Sequence, residues 1–395
     1  MTNPLDDSRL GRYVETPVAG EVVRAFVPPP LPPTPPIELL PLLERLSKAE
    51  RALGRLDGIA TLLPRQELFL YMYVRKEAVL SSQIEGTQST LTDLLRFETD
   101  AQAGQPIDDV QEVSNYVDAL MYGLERVEQL PLSLRLIREM HLRLLQSGRG
   151  NAKSPGEFRR TQNWIGGTRP GNALFVPPPT TELMNCLDAL ESFIHERESR
   201  LPAIIKAGLL HVQFETIHPF LDGNGRIGRL LVTLYLCVNG VLHKPLLYLS
   251  LFLKAHRADY YRLLQEVREH GAWEAWLEFF LDGVAETANQ AFDAATRIVD
   301  LFKRDRERIG SESDRVSSAL RVHDLLQQTP YVTSALLVVR TGLSAPTINS
   351  ALVDLSRLGV VEEVTGRLRG RVFSYKAYLD ILNEGTEPLT EPASG

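Results

Sequence analysis

Cysteine is scarce. Two thiols in 395 residues, Cys186 and Cys237, cannot supply a disulfide framework or a Cys-based zinc site. Both lie in apolar patterns of helical period, where a thiol serves as a small hydrophobe, and this usage fits a reducing cytoplasm. Long apolar runs are missing as well. None reaches the roughly 18 residues of a bilayer-spanning helix, and the opening Met-Thr-Asn-Pro-Leu-Asp-Asp lacks the basic start and apolar core of a signal peptide, so no membrane association is expected. Nor is positive charge in excess: 43 Lys and Arg stand against 50 Asp and Glu, a net of −7, which excludes a whole-surface basic footprint for nucleic acid. His141, His195, His211, His243, His256, His270 and His323 show no metal-ligand spacing. Alternating strand patterns are absent until the C-terminal part.

What is present is an ordinary globular composition, 44% hydrophobic and 24% charged, over a length that predicts two or three domains. Residues 1–36 read as an N-terminal arm. Seven of the nine residues from Pro28 to Pro36 are proline, which predicts an extended polyproline II spacer. From residue 37 the pattern turns helical, with Leu39, Leu42, Leu43 and Leu46 at the spacing of a buried face, and it stays so to about 290. One exception is Asn163 to Val176, where two short apolar runs split by Gly166-Gly167 and Pro170-Gly171 predict a hairpin. Residues 291–312 read as a charged helical linker, and 384–395 as a disordered tail.

The stretch with chemical content is His218-Pro219-Phe220-Leu221-Asp222-Gly223-Asn224-Gly225-Arg226-Ile227-Gly228-Arg229. Apolar helical stripes flank it, Ile205, Leu209, Val212 and Ile217 before and Leu230, Leu231, Leu234 and Val238 after, so the polar cluster falls in a turn between two core helices. A glycine-rich segment opening a helix leaves backbone N–H groups unpaired at the positive end of the helix dipole, which makes an anion site. Gly223 and Gly225 let a phosphate approach closely. Arg226 and Arg229, three residues apart, can converge on a polyphosphate. Asp222 suits a Mg²⁺ ion bridging phosphate oxygens, and His218 can accept a proton at neutral pH. Together these parts describe phosphoryl or nucleotidyl transfer. Turn chemistry alone accounts for Asp-Gly-Asn-Gly, but not for this order of polar residues between two apolar helices.

This stretch resembles the complete signature of Fic-domain proteins, His-x-Phe-x-(Asp/Glu)-Gly-Asn-Gly-Arg-x-x-Arg, with no position departing from it. The resemblance implies a mainly α fold: an all-helical Fic core over 37–290 with a short β-hairpin flap. It implies transfer of AMP from ATP to a Ser, Thr or Tyr hydroxyl of a target protein. By resemblance His218 is the general base and Asp222 holds Mg²⁺. Gly223, Asn224, Gly225 and Arg226 cradle the phosphates, and Arg229 meets the γ-phosphate. Gly225, where a phosphorylating branch commonly has Lys, disfavours a kinase. The flap at 163–176 is expected to present a target segment by strand addition, and self-modification is expected too. Two alternatives stand beside this reading: a nucleotide-sensing DNA-binding regulator, and the same site using another donor that carries UMP or phosphocholine.

Upstream, Ser81-Ser82-Gln83-Ile84-Glu85-Gly86 is similar to the family's inhibitory pattern, on a helix expected over about 66–87. The resemblance implies that Glu85 pairs with Arg229 and restrains the enzyme; removal of AMP is a second activity open to the same Glu. Residues 313–383 read as helix, Gly342 turn, helix, then strands around a basic tip from Arg367 to Arg371, which resembles a small α/β winged-helix domain. Eight basic and six acidic residues give this segment +2, leaving −9 for the rest. Contact with DNA and docking of protein, including a homodimer, are both open for it.

Overall fold

The structure, a computed structural model, describes residues 9–62, 66–99, 107–148, 150–196, 200–367 and 370–389. Its chain order starts with strands β1 (Arg12–Val18) and β2 (Glu21–Val27), followed by helices α1 (Leu43–Leu62), α2 (Gln66–Ile84), α3 (Leu91–Thr99), α4 (Ile107–Arg126), α5 (Leu134–Leu144) and α6 (Thr180–His195). Next come α7 (Ala203–Ile217), α8 (Asn224–Val238), α9 (Ser250–Ala255), α10 (Arg257–His270) and α11 (Trp273–Glu312). The last part holds α12 (Val316–Leu326), β3 (Tyr331–Thr333), α13 (Ser334–Thr341), α14 (Ala345–Arg357), β4 (Glu362–Glu363), β5 (Val372–Ser374) and α15 (Lys376–Asn383). Among the described residues the protein is mainly helical, with two small antiparallel sheets.

Helix α7 is the axle. Every residue from Ile204 to Ile217 is buried, the signature of a helix covered on all sides. It packs on α6, α8, α10 and α11. Close approach to α11 depends on Gly208, where a Cβ would lie 3.0 Å from both Leu277 and Phe280. The Gly208 carbonyl accepts a 3.0 Å bond from the indole of Trp276. This packing fixes the C-terminal end of α7, and with it the turn that carries the signature.

Several expectations are corrected. The segment 291–312 is helical as expected, but it is neither a separate element nor solvated all round: it is the second half of the unbroken α11, roughly 60 Å long at 1.5 Å per residue, and Ala291, Ala294, Ala295, Ile298, Leu301 and Ile309 are buried along it. The arm is no free spacer. Strands β1 and β2 pair in register Val18↔Glu21 through Val14↔Ala25. The Phe26 N–H bonds the Val176 carbonyl at 2.9 Å, and Arg9 and Gln213 donate to carbonyls of Pro35, Pro36 and Pro29 in the proline run. The flap is a loop closed by one antiparallel bridge, Ile165↔Phe175, rather than a regular hairpin. The inhibitory-type helix ends at Ile84, short of residue 87. Of the expected tail, 384–387 is bonded to α2, α9 and α11; 390–395 lies outside the described residues.

In the C-terminal part a third strand, β3, joins the sheet in the order β3-β5-β4. Residues 368–369 of the basic tip lie outside the described residues. The Tyr375 hydroxyl donates to the buried Asp305 carboxylate at 2.6 Å, tying this part to α11.

Candidate functional site

Two residues with positive φ make the signature turn. His218 caps α7 at φ 49° and Gly223 caps α8 at φ 76°, the second a conformation for which glycine has no Cβ penalty. Asn224 staples the loop between them: its Oδ1 accepts from the Phe220 N–H at 2.8 Å and its Nδ2 donates to the Phe220 carbonyl at 2.9 Å. Its side chain is therefore consumed inside the turn, and only its backbone N–H is left for a ligand. Arg159 and Asn163 fasten the same turn from outside, donating to the His218 carbonyl at 3.0 and 3.4 Å. Burial holds the Arg159 guanidinium down to about 10.

His218 keeps its imidazole neutral. Its Nδ1 lies 3.3 Å from the Glu215 carbonyl, which can only accept, so the proton sits on Nδ1 and the lone pair on Nε2. Burial first, then the nearby Arg268 cation, lowers its pKa to about 4. A neutral imidazole with an open Nε2 is a base across the physiological range.

The first backbone bond of α8 runs from the Ile227 N–H to the Gly223 carbonyl, so the N–H groups of Asn224, Gly225 and Arg226 have no partner within the helix. Asp222 spends Oδ1 on the Gly223 N–H at 2.6 Å and on Arg226 at 3.5 Å, and the carboxyl is 40% exposed at the mouth. One carboxylate oxygen is a common protein share of a Mg²⁺ ion whose other ligands are phosphates and water, so Asp222 fits that ion. Among the described residues no three His, Cys, Asp or Glu side chains gather into a dedicated metal cage. Arg226 is buried between Asp222 and Glu112 and does not reach outward.

Arg229 is the most enclosed cation of the site. Its Nε donates to Ser81 Oγ at 2.8 Å and its Nη2 to the Ser81 carbonyl at 3.0 Å and to Glu85 Oε1 at 2.6 Å. Burial opposes ionisation of Glu85, but Arg229 outweighs it and holds the carboxyl below its ordinary value. A Cβ on Gly225 would collide with Glu85 Oε1. The Glu85 carboxylate therefore rests on the first turn of α8, where the open N–H groups lie. Glu215 is buried behind this pair, its Oε1 without a hydrogen-bond partner among the described residues, and burial lifts it to about 7.

The structure thus brings His218, Asp222, Gly223, Gly225, Arg226, Arg229, Ser81 and Glu85 around one helix terminus. Sequence reasoning passed over His141. Its Nδ1 accepts from the Gly156 N–H at 2.9 Å, its Nε2 faces the Asp222 carbonyl at 3.0 Å, and its ring stacks on Phe220 at 3.7 Å. The signal was there: His141 falls on the apolar stripe Leu134, Ile137, Leu144 of α5, where a polar residue needs buried partners. Of the aromatics after the signature, Tyr260, Trp273 and Trp276 are core; Tyr261 is 42% exposed.

Residues 43–125 match the family description Fic/DOC family N-terminal, and residues 131–236 match Fic/DOC family. Curated relatives from Drosophila grimshawi and Drosophila virilis, each named Protein adenylyltransferase Fic, are 31% identical over 208 residues, covering 52% of this chain and 40% of theirs. The chain spans about two fifths of the length of these relatives. Among solved structures, a Fic family protein from Desulfovibrio desulfuricans superposes with a TM-score of 0.56 at 21% identity, over 86% of this chain and 97% of that one. Fic-1 from C. elegans gives 0.50 at 23% identity, over 66% and 75%. Residues 43–125 and 131–236 thus match Fic/DOC family descriptions, and the fold is of the Fic type seen in these solved structures.

Proposed function

We propose that this chain uses its Fic/DOC domain as a protein adenylyltransferase, moving AMP from ATP to a Ser, Thr or Tyr hydroxyl of a target protein. The hydroxyl oxygen attacks the α-phosphorus, the bond from that phosphorus to the bridging oxygen breaks, and pyrophosphate leaves. His218 Nε2 takes the hydroxyl proton. The N–H groups that open α8 hold the phosphates. Asp222 would hold Mg²⁺, which when bound neutralises phosphate charge. Arg229 meets the γ-phosphate once free of Glu85. The edge of the loop at 165–175 receives an extended target segment, and 313–383 is a winged-helix module.

The observation that carries this reading is Glu85. A carboxylate seated on a helix N-terminus and paired with a buried guanidinium at 2.6 Å is an anion site filled by the protein's own anion. The likeness to relatives named adenylyltransferases supports AMP as the group transferred. Intact-mass spectrometry after incubation with ATP and Mg²⁺ tests it. Glu85→Gly gains an adenylyl adduct, wild type gains little, and Glu85→Gly/His218→Ala gains none. An adduct on wild type equal to that on Glu85→Gly removes the restraint, and no adduct on any form removes ATP as donor.

A further inference from the structure

The four residues that follow α15 form a strap across the end of α2. Glu384 is fixed by Arg297 of α11 through two bonds, of 2.9 and 2.6 Å. The Gly385 carbonyl accepts from Lys254 Nζ of α9 at 3.1 Å, and the Glu387 carbonyl accepts from the same ammonium. Thr386 is buried, and its carbonyl accepts from Gln83 Nε2 of α2 at 2.8 Å. The same amide nitrogen donates to the Ser89 carbonyl at 2.9 Å, so one buried side chain ties the end of α2 both to its own exit loop and to the strap. Lys76, also buried on α2, lies in the field of the Glu384 and Glu387 carboxylates.

Gln83 lies two residues before Glu85. The turn that aims Glu85 is made here, by bonds from the N–H groups of Glu85 and Thr87 to the Ser82 carbonyl at 3.0 and 3.2 Å. The strap therefore grips the turn that carries the carboxylate, and its other end is continuous with the module at 313–383. We propose that strap 384–387 is the element through which this C-terminal module sets the restraint by Glu85. While the strap is seated, the last turn of α2 keeps Glu85 on Arg229. When the module moves and draws the strap away, Gln83 loses an acceptor in a buried place, the turn loosens and Arg229 is released. This inference rests on the reading of Glu85 given above.

Gly385 offers a variant that touches neither α2 nor the site. It sits at φ 79°, and a Cβ there would lie 2.6 Å from Leu251 Cδ1, so Gly385→Val unseats the strap. In the full chain, hydrogen exchange at Glu85, Gly86 and Thr87 should quicken by about tenfold or more while α7 amides are unchanged. With ATP and Mg²⁺ the same variant should acquire an adenylyl adduct that wild type lacks. Unchanged exchange at 85–87 overturns the proposal. So does faster exchange without an adduct when Glu85→Gly labels under the same conditions. If Glu85→Gly does not label either, the failure belongs to the transferase reading, and exchange alone decides the coupling. Should Gly385→Val also quicken α7, Lys254→Met, which removes two bonds to the strap and keeps the apolar stem, is read by the same criteria.

Discussion

His141 shows how much one buried side chain settles. Because a backbone N–H points at Nδ1, the ring proton sits on Nε2 and is donated to the Asp222 carbonyl. Burial lowers its pKa to about 4, so this tautomer persists at neutral pH. His141 is thus a positioning residue for Asp222. Gln places an amide near Nε2 and Asn an oxygen near Nδ1, so the two substitutions divide the roles. In the Glu85→Gly background, His141→Gln should keep the KM for Mg-ATP within about threefold. His141→Asn should raise it about tenfold, an effect of the size seen when an outer-shell partner of a metal ligand is lost. Equal values for the two would assign His141 to packing alone. The residue was legible only as an anomaly, a histidine on an apolar stripe; its partners come from 15 and 81 positions away.

At the scale of elements, the turn between α7 and α8 is held by Asn224 more than by its glycines. Asn224→Ala would leave the Phe220 N–H unpaired in a buried loop, while the Phe220 carbonyl keeps its 3.0 Å bond from Asn163, at a cost of about 1–3 kcal/mol. Urea unfolding followed by circular dichroism should show that loss; an unchanged midpoint would mean the loop rearranges. The long amphipathic helices were readable because their apolar spacing repeats over many turns. The hairpin β1–β2 was not, since its pattern gives no clean alternation and its cover comes from Val176 on a distant loop. The unbroken α11 was hidden by its charges. Arg304 to Arg308 reads as a solvated stretch, yet Asp305 and Ile309 turn inward to meet the C-terminal sheet and helices.

For the molecule as a whole, burial sets the response to acid. His141, His211, His218 and His323 are all lowered to about 4, so below their ordinary value near 6.5 the unfolded chain takes up protons that the folded one refuses. Their contribution is present above 6.5 and is lost as pH falls toward 4. Glu77 and Glu215, raised to about 7 by burial, act in the opposite sense: folded, they keep protons between about 4.5 and 7 that the unfolded chain has released. Four groups outweigh two. The melting temperature should rise steadily from pH 5 to about pH 7, as thermal melts in matched buffers will show. A flat profile from pH 5 to 7 would contradict the burial of these histidines.

The pairing of Glu85 with Arg229 was implied by the resemblance to Fic-domain proteins; the sequence by itself determined the helical class and the signature turn, because a helix terminus with glycines and arginines has few other uses. Local spacing is enough for that. Only the tertiary structure decided that Asn224 is spent inside the turn, that Arg226 is buried against acids, that the arm backs the flap, and that the supposed tail grips α2. Apart from the Asn224–Phe220 bonds, which are four residues apart, these depend on which surfaces meet across more than a hundred residues. A chain read one turn at a time carries no record of what its polar groups will find on the other side.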